Sequence, residues 1–299
     1  MIDPKLYTLV AAYECGSFIA AAQKLSITQP AVSQHIRALE EELGIRIFQR
    51  GNGGLVITEQ GKQAVRTAQK MIGLYNLLRQ DLTDRAHMQE HLNIGVTHTA
   101  ESNAIAEALA KYGSENDGVT IKIISDSISN LYKRLRSYEL DFAFVEGRRN
   151  EPGIKFLMLD TDCLILAVSP NHAFAGRGMV TLEELKREKL ILRLPNSGTR
   201  NLFVAHLESN NMSISEFDVL MELDNVATIK DLIRRDFGVS ILPRSACYDE
   251  IRKKKLIALP VENLSMVREM NIAYQSDFSH TEMLSDIMKA YNEMVRLYR

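Results

Sequence analysis

Two sets of polar residues in this chain have the types and spacings for molecular recognition. The first is Ser17, Thr28, Gln29, Pro30, Ser33, Gln34, Arg37 and Arg50. Amides and hydroxyls so grouped can hydrogen-bond the edges of DNA bases, and the arginines can meet phosphate. The second set sits where strands give way to helices: Thr97-His98-Thr99, Asp126-Ser127, Ser197-Gly198-Thr199 and Asn225-Val226-Ala227. Unpaired N–H groups and the positive end of a helix dipole could there cradle a small anion, with hydroxyls as neutral donors. Taken singly, each such junction reads as an ordinary helix N-cap. Catalytic patterns are missing: there is no GxSxG, no HExxH, no Gly-rich phosphate loop and no Cys/His cluster, so neither an enzyme nor a metal or cofactor is expected.

These residues need elements to hold them. Ser17 predicts the cap of a short helix, Phe18–Leu25, whose Ala20, Ala21 and Ala22 let another helix approach closely. Ser26-Ile27-Thr28 breaks it. A second helix starts at about Gln29, with Pro30 in the first turn, where a missing N–H costs nothing. Val32, Ile36, Leu39 and Leu43 recur at helical spacing and are expected to face a core. Pro30, Ser33, Gln34 and Arg37 then fall on the opposite half, at the end that a recognition helix presents to DNA. The plain alternative for this helix is an amphipathic surface helix with a solvated face.

Its neighbours argue against that alternative. Leu6, Leu9, Val10 and Tyr13 form an apolar stripe that predicts a further helix packed behind the pair. Gly44 ends the second helix, and Ile45–Phe48 and Leu55–Ile57 read as strands joined through Gly51-Asn52-Gly53-Gly54. Residues 1–58 are therefore expected to form a winged helix-turn-helix domain with double-stranded DNA as its partner.

Thr58 predicts the N-cap of a long linker helix over 59–88. Val65, Ala68, Ile72, Tyr75, Arg79, Leu82 and Ala86 form a heptad seam on it, widened by Met71, Leu74 and Leu78. Pairing with a second copy of the chain is the expected use, with Val65, Ala68, Ile72, Tyr75 and Leu82 as dimerisation residues. The alternative is packing on the DNA-binding domain of the same chain. A twofold dimer would bring two domains to a dyad-symmetric site.

After Gln89–His91 the texture becomes alternating strands and helices: Leu92–Val96, Ala100–Tyr112, Val119–Ser125, Ile128–Tyr138 and Asp141–Glu146. This predicts a parallel α/β sheet. Leu164–Ser169 opens a second set, continued by Lys189–Leu194, Thr199–Ser209, Val219–Leu223, Val226–Phe237 and Val239–Leu242. A strand over Val267–Tyr274 and a helix over Thr281–Tyr298 follow. Two lobes with a cleft between them are expected.

The run GSF–AA–L–TQPAVSQHI–LE–ELG–F–R–T–G is carried by Gly16, Ser17, Phe18, Ala21, Ala22, Leu25, Thr28 to Ile36, Leu39, Glu40, Glu42 to Gly44, Phe48, Arg50, Thr58 and Gly61. It resembles the N-terminal domain of LysR-type transcriptional regulators. Ile19 stands where that family usually has Thr, and the wing lacks the basic residue often found there. Asn196 to Arg200 resembles the family's SGTR signature, Leu140 to Phe144 its G-x-L-D-x-A-I strand, and Phe237 to Pro243 its G-(L/V)-G-I-x-L-P strand entry. The resemblance implies a periplasmic-binding-protein-like effector domain over 92–299. Lobe I would be about 92–161 and 266–299, and lobe II about 162–265. It also implies a small-molecule effector held by Thr97, Thr99, Ser127, Ser197, Gly198, Thr199 and the helix start near Val226. A homodimer or homotetramer and contact with RNA polymerase belong to the same implication. Thr97-His98-Thr99 looks like the sulfur-assimilation branch of the family, whose threonines hold sulfate or acylated serine. Glu101 would repel an anion if it turned inward, and Arg200 could meet a carboxylate.

Composition sets the outer limits. A chain of 299 residues with 45% apolar content can build about two ordinary cores. The net charge of −2 advertises no basic field, and within 1–58 Lys5, Lys24, Arg37, Arg46 and Arg50 are offset by Asp3, Glu14, Glu40, Glu41 and Glu42. DNA binding is thus inferred from pattern and not from charge. Cys15, Cys163 and Cys247 are far apart and read as small buried side chains of a reduced cytoplasmic protein. The N-terminus MIDPKLYTLV lacks the regions of a signal peptide and no apolar run approaches a membrane span, so a cytoplasmic location is expected. A two-lobed α/β enzyme, or a solute-binding protein acting on a small anion, is the competing reading. The first lacks a catalytic set and the second a signal peptide.

Overall fold

In the computed structural model of the chain, residues 2–51, 54–87, 89–100 and 104–296 are described. They divide into two compact units, one of residues 1–90 with 136–139 and one of the remainder.

The first unit begins with α1 (Pro4–Cys15), capped by the Asp3 carboxylate on the Lys5 N–H and closed by Gly16 in the left-handed region. In α2 (Phe18–Leu25) the Ser17 hydroxyl accepts from the Ala20 N–H. In α3 (Gln29–Leu43) the Thr28 hydroxyl accepts from the Ala31 N–H at 3.3 Å, Pro30 lies in the first turn, and Gly44 at φ 64° ends the helix. The core comprises Leu9, Ala11, Ala12, Ala21, Ala22, Val32, Ile36, Leu39 and Ile47, with Val65 and Ala68 from the next helix.

Of the other predicted core residues, Leu6 and Val10 pack against it partly buried and two are exposed. Tyr13 is 45% exposed, while Ala11 and Ala12 of the same helix are buried. Leu43 is 51% exposed: it is the last helical residue and lies beyond the packed segment, where Ile47 fills the core instead. The first strand is shifted three residues toward the hairpin from the expected Ile45–Phe48, and the second begins one residue before the expected Leu55. The Glu40 carboxylate accepts the Ile47 and Phe48 N–H groups at 2.7 and 3.2 Å, so pairing begins only at β1 (Phe48–Gly51). That strand runs antiparallel to β2 (Gly54–Ile57), Phe48 opposite Ile57 and Gly51 opposite Gly54. Asn52 and Gly53, the predicted tip of the wing, lie outside the described residues.

Thr58 accepts the Gly61 N–H at 2.9 Å and donates to the Arg46 carbonyl at 2.6 Å, starting α4 (Glu59–His87). A Cβ at Gly61 would run into the Ile47 carbonyl oxygen, which is why glycine stands there. Val65 and Ala68, expected at a dimer seam, are buried in the core of their own domain; the first turns of α4 follow the intramolecular alternative. Farther along, Met71, Leu74, Leu78 and Leu82 are exposed and Ile72 and Tyr75 are half-buried.

The second unit is α/β. Its elements are β3 (Glu90–Val96), α5 (Ala104–Glu115), β4 (Val119–Ser125), α6 (Ile128–Arg136), β5 (Phe142–Glu146), β6 (Ile154–Val168), α7 (Leu182–Leu185), β7 (Leu190–Arg193), α8 (Gly198–Ser209), β8 (Val219–Leu223), α9 (Val226–Arg234), β9 (Ser240–Pro243), α10 (Tyr248–Arg252), β10 (Ile257–Leu259), β11 (Val267–Gln275) and α11 (Thr281–Arg296). One sheet runs β10-β6-β11-β5-β3-β4, with β9 also on β6; β7 and β8 form a small parallel pair. β3 is parallel to β5, while β11 is antiparallel to both β5 and β6.

One core gathers Leu92, Ile94, Val96, Phe142, Phe144 and Ile272 with α5 and with Leu284, Ile287 and Tyr291 of α11. Another gathers Leu164, Leu166, Val168, Leu190, Leu192, Phe203, Leu207 and Ile241. The fifteen-residue β6 runs from the first core, through Leu159, to the second, through Leu164, Leu166 and Val168. Only the second half of β6 was expected from the sequence, since Asp160, Thr161 and Asp162 interrupt its apolar pattern. α7, α10 and β10 were not predicted; they are too short to show a period.

Candidate functional sites

The recognition end of α3 is open. Gln29, Pro30, Gln34 and Arg37 are exposed and Ser33 is half-buried. The Gln29 side-chain amide donates to the Ser33 hydroxyl at 2.9 Å, which is the i, i+4 reach of a helix face. Thr28 and Ser17 use their oxygens as N-caps, which leaves each O–H able to donate outward. Arg37 makes no ion pair among the described residues, whereas Arg46 is held by Glu40 at 3.2 Å. Arg50 pairs with Leu55 across the hairpin through its backbone; its side chain lies outside the described residues.

In the second unit a cavity of about 60 Å³ opens between the ends of β3, β5 and β7 and the start of α8. Thr97, Thr99, Ser127, Ser197, Gly198 and Thr199 line it, as the sequence suggested, together with Glu146, Arg193, Asp126, Asp224 and His98. Val226 does not. It is buried among Ile165, Ile191 and Ile229, and Asn225 spends its side-chain oxygen capping α9 on the Thr228 N–H at 2.9 Å. Glu101 lies outside the described residues.

The threonines do not point their hydroxyls at an empty cradle. Thr97 donates to Glu146 Oε1 at 2.8 Å and Thr99 donates to the same oxygen. Glu146 is 6% exposed and ion-paired with Arg268 Nη1 at 3.3 Å. Arg268, equally buried, reaches Asp162 through Nη2 at 3.1 Å and Thr199 through Nη1 at 3.5 Å. Asp162 in turn accepts from the Ser245 hydroxyl at 2.8 Å and its N–H at 3.2 Å. A charged, hydrogen-bonded chain therefore lies beneath the cavity.

On the other wall Ser197 caps α8 by accepting the Arg200 N–H at 3.1 Å. Arg200 meets a carboxylate as anticipated, but it is that of Glu222. Arg193 is the feature that sequence reasoning missed. Its side chain is 3% exposed, Nη2 bonds Asp224 at 2.8 Å, and its Nε and Nη1 have no partner among the described residues. His98 approaches Asp224 from across the cavity at 3.8 Å. A signal was present: Arg193 is a single charge inside the apolar run LILRL, Glu146 ends the apolar run FAFV, and Arg268 opens a strand, VREMNIAY, that is otherwise largely apolar beyond Glu269. A charge there must be paired or used, because an idle buried charge is costly.

Cys247 is buried and its thiol is pushed up to about 12 by desolvation; Cys163 is half-buried and raised for the same reason. Cys15 is half-buried, so only one of the three fits the expectation of a fully enclosed side chain. Among the described residues no group of His, Cys, Asp and Glu could hold a metal ion, and no helix is long and apolar enough to cross a membrane.

Comparison with known proteins agrees with this architecture. An uncharacterized HTH-type transcriptional regulator of Methanocaldococcus jannaschii is 29% identical, with 89% of this chain and 91% of that protein covered. The HTH-type transcriptional regulator CysL of Bacillus subtilis is 24% identical over 93% of this chain and 92% of its own. Among solved structures, full-length CbnR complexed with its target DNA superposes with a TM-score of 0.66 at 17% identity, covering 98% of this chain and 100% of that one. HinK of Pseudomonas aeruginosa, a LysR family transcriptional regulator, gives 0.57 at 23% identity, with 97% of each chain covered. Residues 4–62 match the bacterial regulatory helix-turn-helix proteins of the lysR family, and residues 85–295 match the LysR substrate binding domain. The winged helix-turn-helix followed by a cavity-bearing α/β unit is thus that of a transcriptional regulator, and the chain belongs to the LysR family.

Proposed function

We propose that α3 enters the major groove, with Gln29, Pro30, Ser33 and Gln34 against base edges and Ser17, Thr28, Arg37 and Arg50 on or near phosphate. The observation that carries this is the exposed polar end of α3, where Ser33 holds the Gln29 amide in place. Two copies paired along the outer face of α4, through Ile72, Tyr75 and Leu82 with Met71, Leu74 and Leu78, would present two recognition helices to a dyad-symmetric promoter site. Residues 1–58 form the DNA-binding domain in this reading, 59–88 the linker, and 92–299 the effector domain of two lobes. A tetramer and contact with RNA polymerase complete it, all in the cytoplasm, where its DNA is.

A small anionic metabolite in the cavity is the proposed signal. Its support is the unpaired pair of nitrogens on buried Arg193, beside the start of α8. The metabolite acts only through its different affinity for two arrangements of the dimer: a hundredfold preference supplies about 2.7 kcal/mol. The test is a gel shift on the DNA upstream of its own gene, with and without metabolites that raise the melting temperature in a sulfur, aromatic and dicarboxylate panel. Retarded DNA whose affinity or bend changes with such a metabolite supports the reading; no retardation removes it.

A further inference from the structure

The charges around the cavity narrow what can occupy it, an argument that rests on the effector-site reading above. Three carboxylates line it: Asp126, Glu146 and Asp224. Each already has one guanidinium, Asp126 with Arg134 at 3.5 Å, Glu146 with Arg268 at 3.3 Å and Asp224 with Arg193 at 2.8 Å. The three lining pairs carry no net charge, and Asp162, which shares Arg268 with Glu146, adds one negative charge behind them. A sulfate or dicarboxylate would add two negative charges beside buried Glu146, and a simple amine would leave Arg193 as it stands.

The unused capacity is nevertheless of both signs. Arg193 keeps Nε and Nη1 unpaired among the described residues, two donors on different edges of the guanidinium, each able to give a charge-assisted hydrogen bond to a carboxylate oxygen. On the facing wall, the bonds that Thr97, Thr99 and Arg268 make to Glu146 all fall on Oε1, which leaves Oε2 as an acceptor among the described residues. One nitrogen of Arg268 touches both Glu146 and Thr199, so the acidic wall and the start of α8 are held within the span of a single guanidinium. The cavity, about 60 Å³, holds a handful of waters at most.

We infer that the cavity takes a small α-amino acid, its carboxylate on Arg193 and the α8 N-terminus and its ammonium on Glu146. Such a zwitterion adds no net charge to the cluster while satisfying the donors on one wall and the acceptor on the other. Thr97 and Thr99 then orient Glu146 and do not themselves bind an anion.

Isothermal titration and thermal shift on the full-length protein test this with L-alanine, L-serine and L-cysteine. Propionate and lactate serve as des-amino controls, ethylamine as the des-carboxy control, and inorganic sulfate and phosphate as plain anions. One of the amino acids should bind about tenfold or more tightly than any control, since each control loses one charge-assisted contact. Arg193→Gln should abolish that binding. Glu146→Gln should weaken the amino acid and leave propionate unchanged; the wild-type ranking alone decides if that variant fails to fold. If propionate, sulfate or phosphate binds as well as the amino acids and Arg193→Gln removes it, the zwitterion is wrong and the anion site stands. If none of these and no metabolite of the wider panel binds, both readings fall.

Discussion

Arg268 Nη1 stands 3.3 Å from Glu146 while its Nη2 stands 3.1 Å from Asp162, and all three side chains are buried. One guanidinium on β11 is therefore shared by two carboxylates, one at the end of β5 and the other within β6. Arg268→Met would leave both charges enclosed and uncompensated, at a cost of about 3–5 kcal/mol. Urea unfolding of the full chain should show that loss, and the double variant with Glu146→Gln should recover part of it. A single variant as stable as wild type would mean that water already reaches the cluster.

The bond between Gln29 and Ser33 makes readout by the two residues interdependent. Gln29→Ala should cost ~1–3 kcal/mol of discrimination for operator over random DNA, as expected for one bidentate amide contact. Ser33→Ala should give a smaller loss of the same kind by releasing the amide. Arg37→Ala or Arg50→Ala should weaken both DNAs and reduce the salt slope by roughly one unit. Fluorescence anisotropy across a salt series checks this, and equal losses on operator and random DNA for Gln29→Ala would sink base readout.

The two ends of α4 should respond differently. Val65→Ala opens a void in the N-terminal core and should lower its stability by about 1–3 kcal/mol without changing the oligomeric state. Leu82→Glu or Ile72→Glu places a charge on the outer face and should yield monomers with weakened operator binding. Sedimentation velocity separates the cases; an intact dimer in both glutamate variants would reject the outer face as the interface.

Cys247 should be inert. Burial pushes its thiol from 9.0 to about 12, so almost no thiolate exists at pH 8. A thiol reagent at pH 8 should modify Cys247 only after unfolding. A thiol whose folded pKa is raised stabilises the fold fully below pH 9 and loses that contribution as pH rises towards 12. Cys247→Ala should flatten the alkaline fall in melting temperature over that window.

The local chemistry of residues 1–58 was legible in the chain because each boundary is set within a few residues. Ser17, Thr28 and Thr58 cap the helices that follow them, Gly16 and Gly44 take left-handed angles, and Pro30 occupies a first turn. The alternation of strands and helices after residue 90 was legible for the same reason, since burial of one face imposes its period on the sequence. Whether Tyr13, Leu43, Val65 and Ala68 lie inside or outside was decided only by which helix approaches which. The cavity was half legible: helix starts carry their own signature in Ser197 and Thr199. The charges that give the site its character do not. Glu146, Asp162, Arg193 and Arg268 come from four separate strands or strand ends, and a charge is assigned its partner only when the fold excludes water and brings them within a few ångströms.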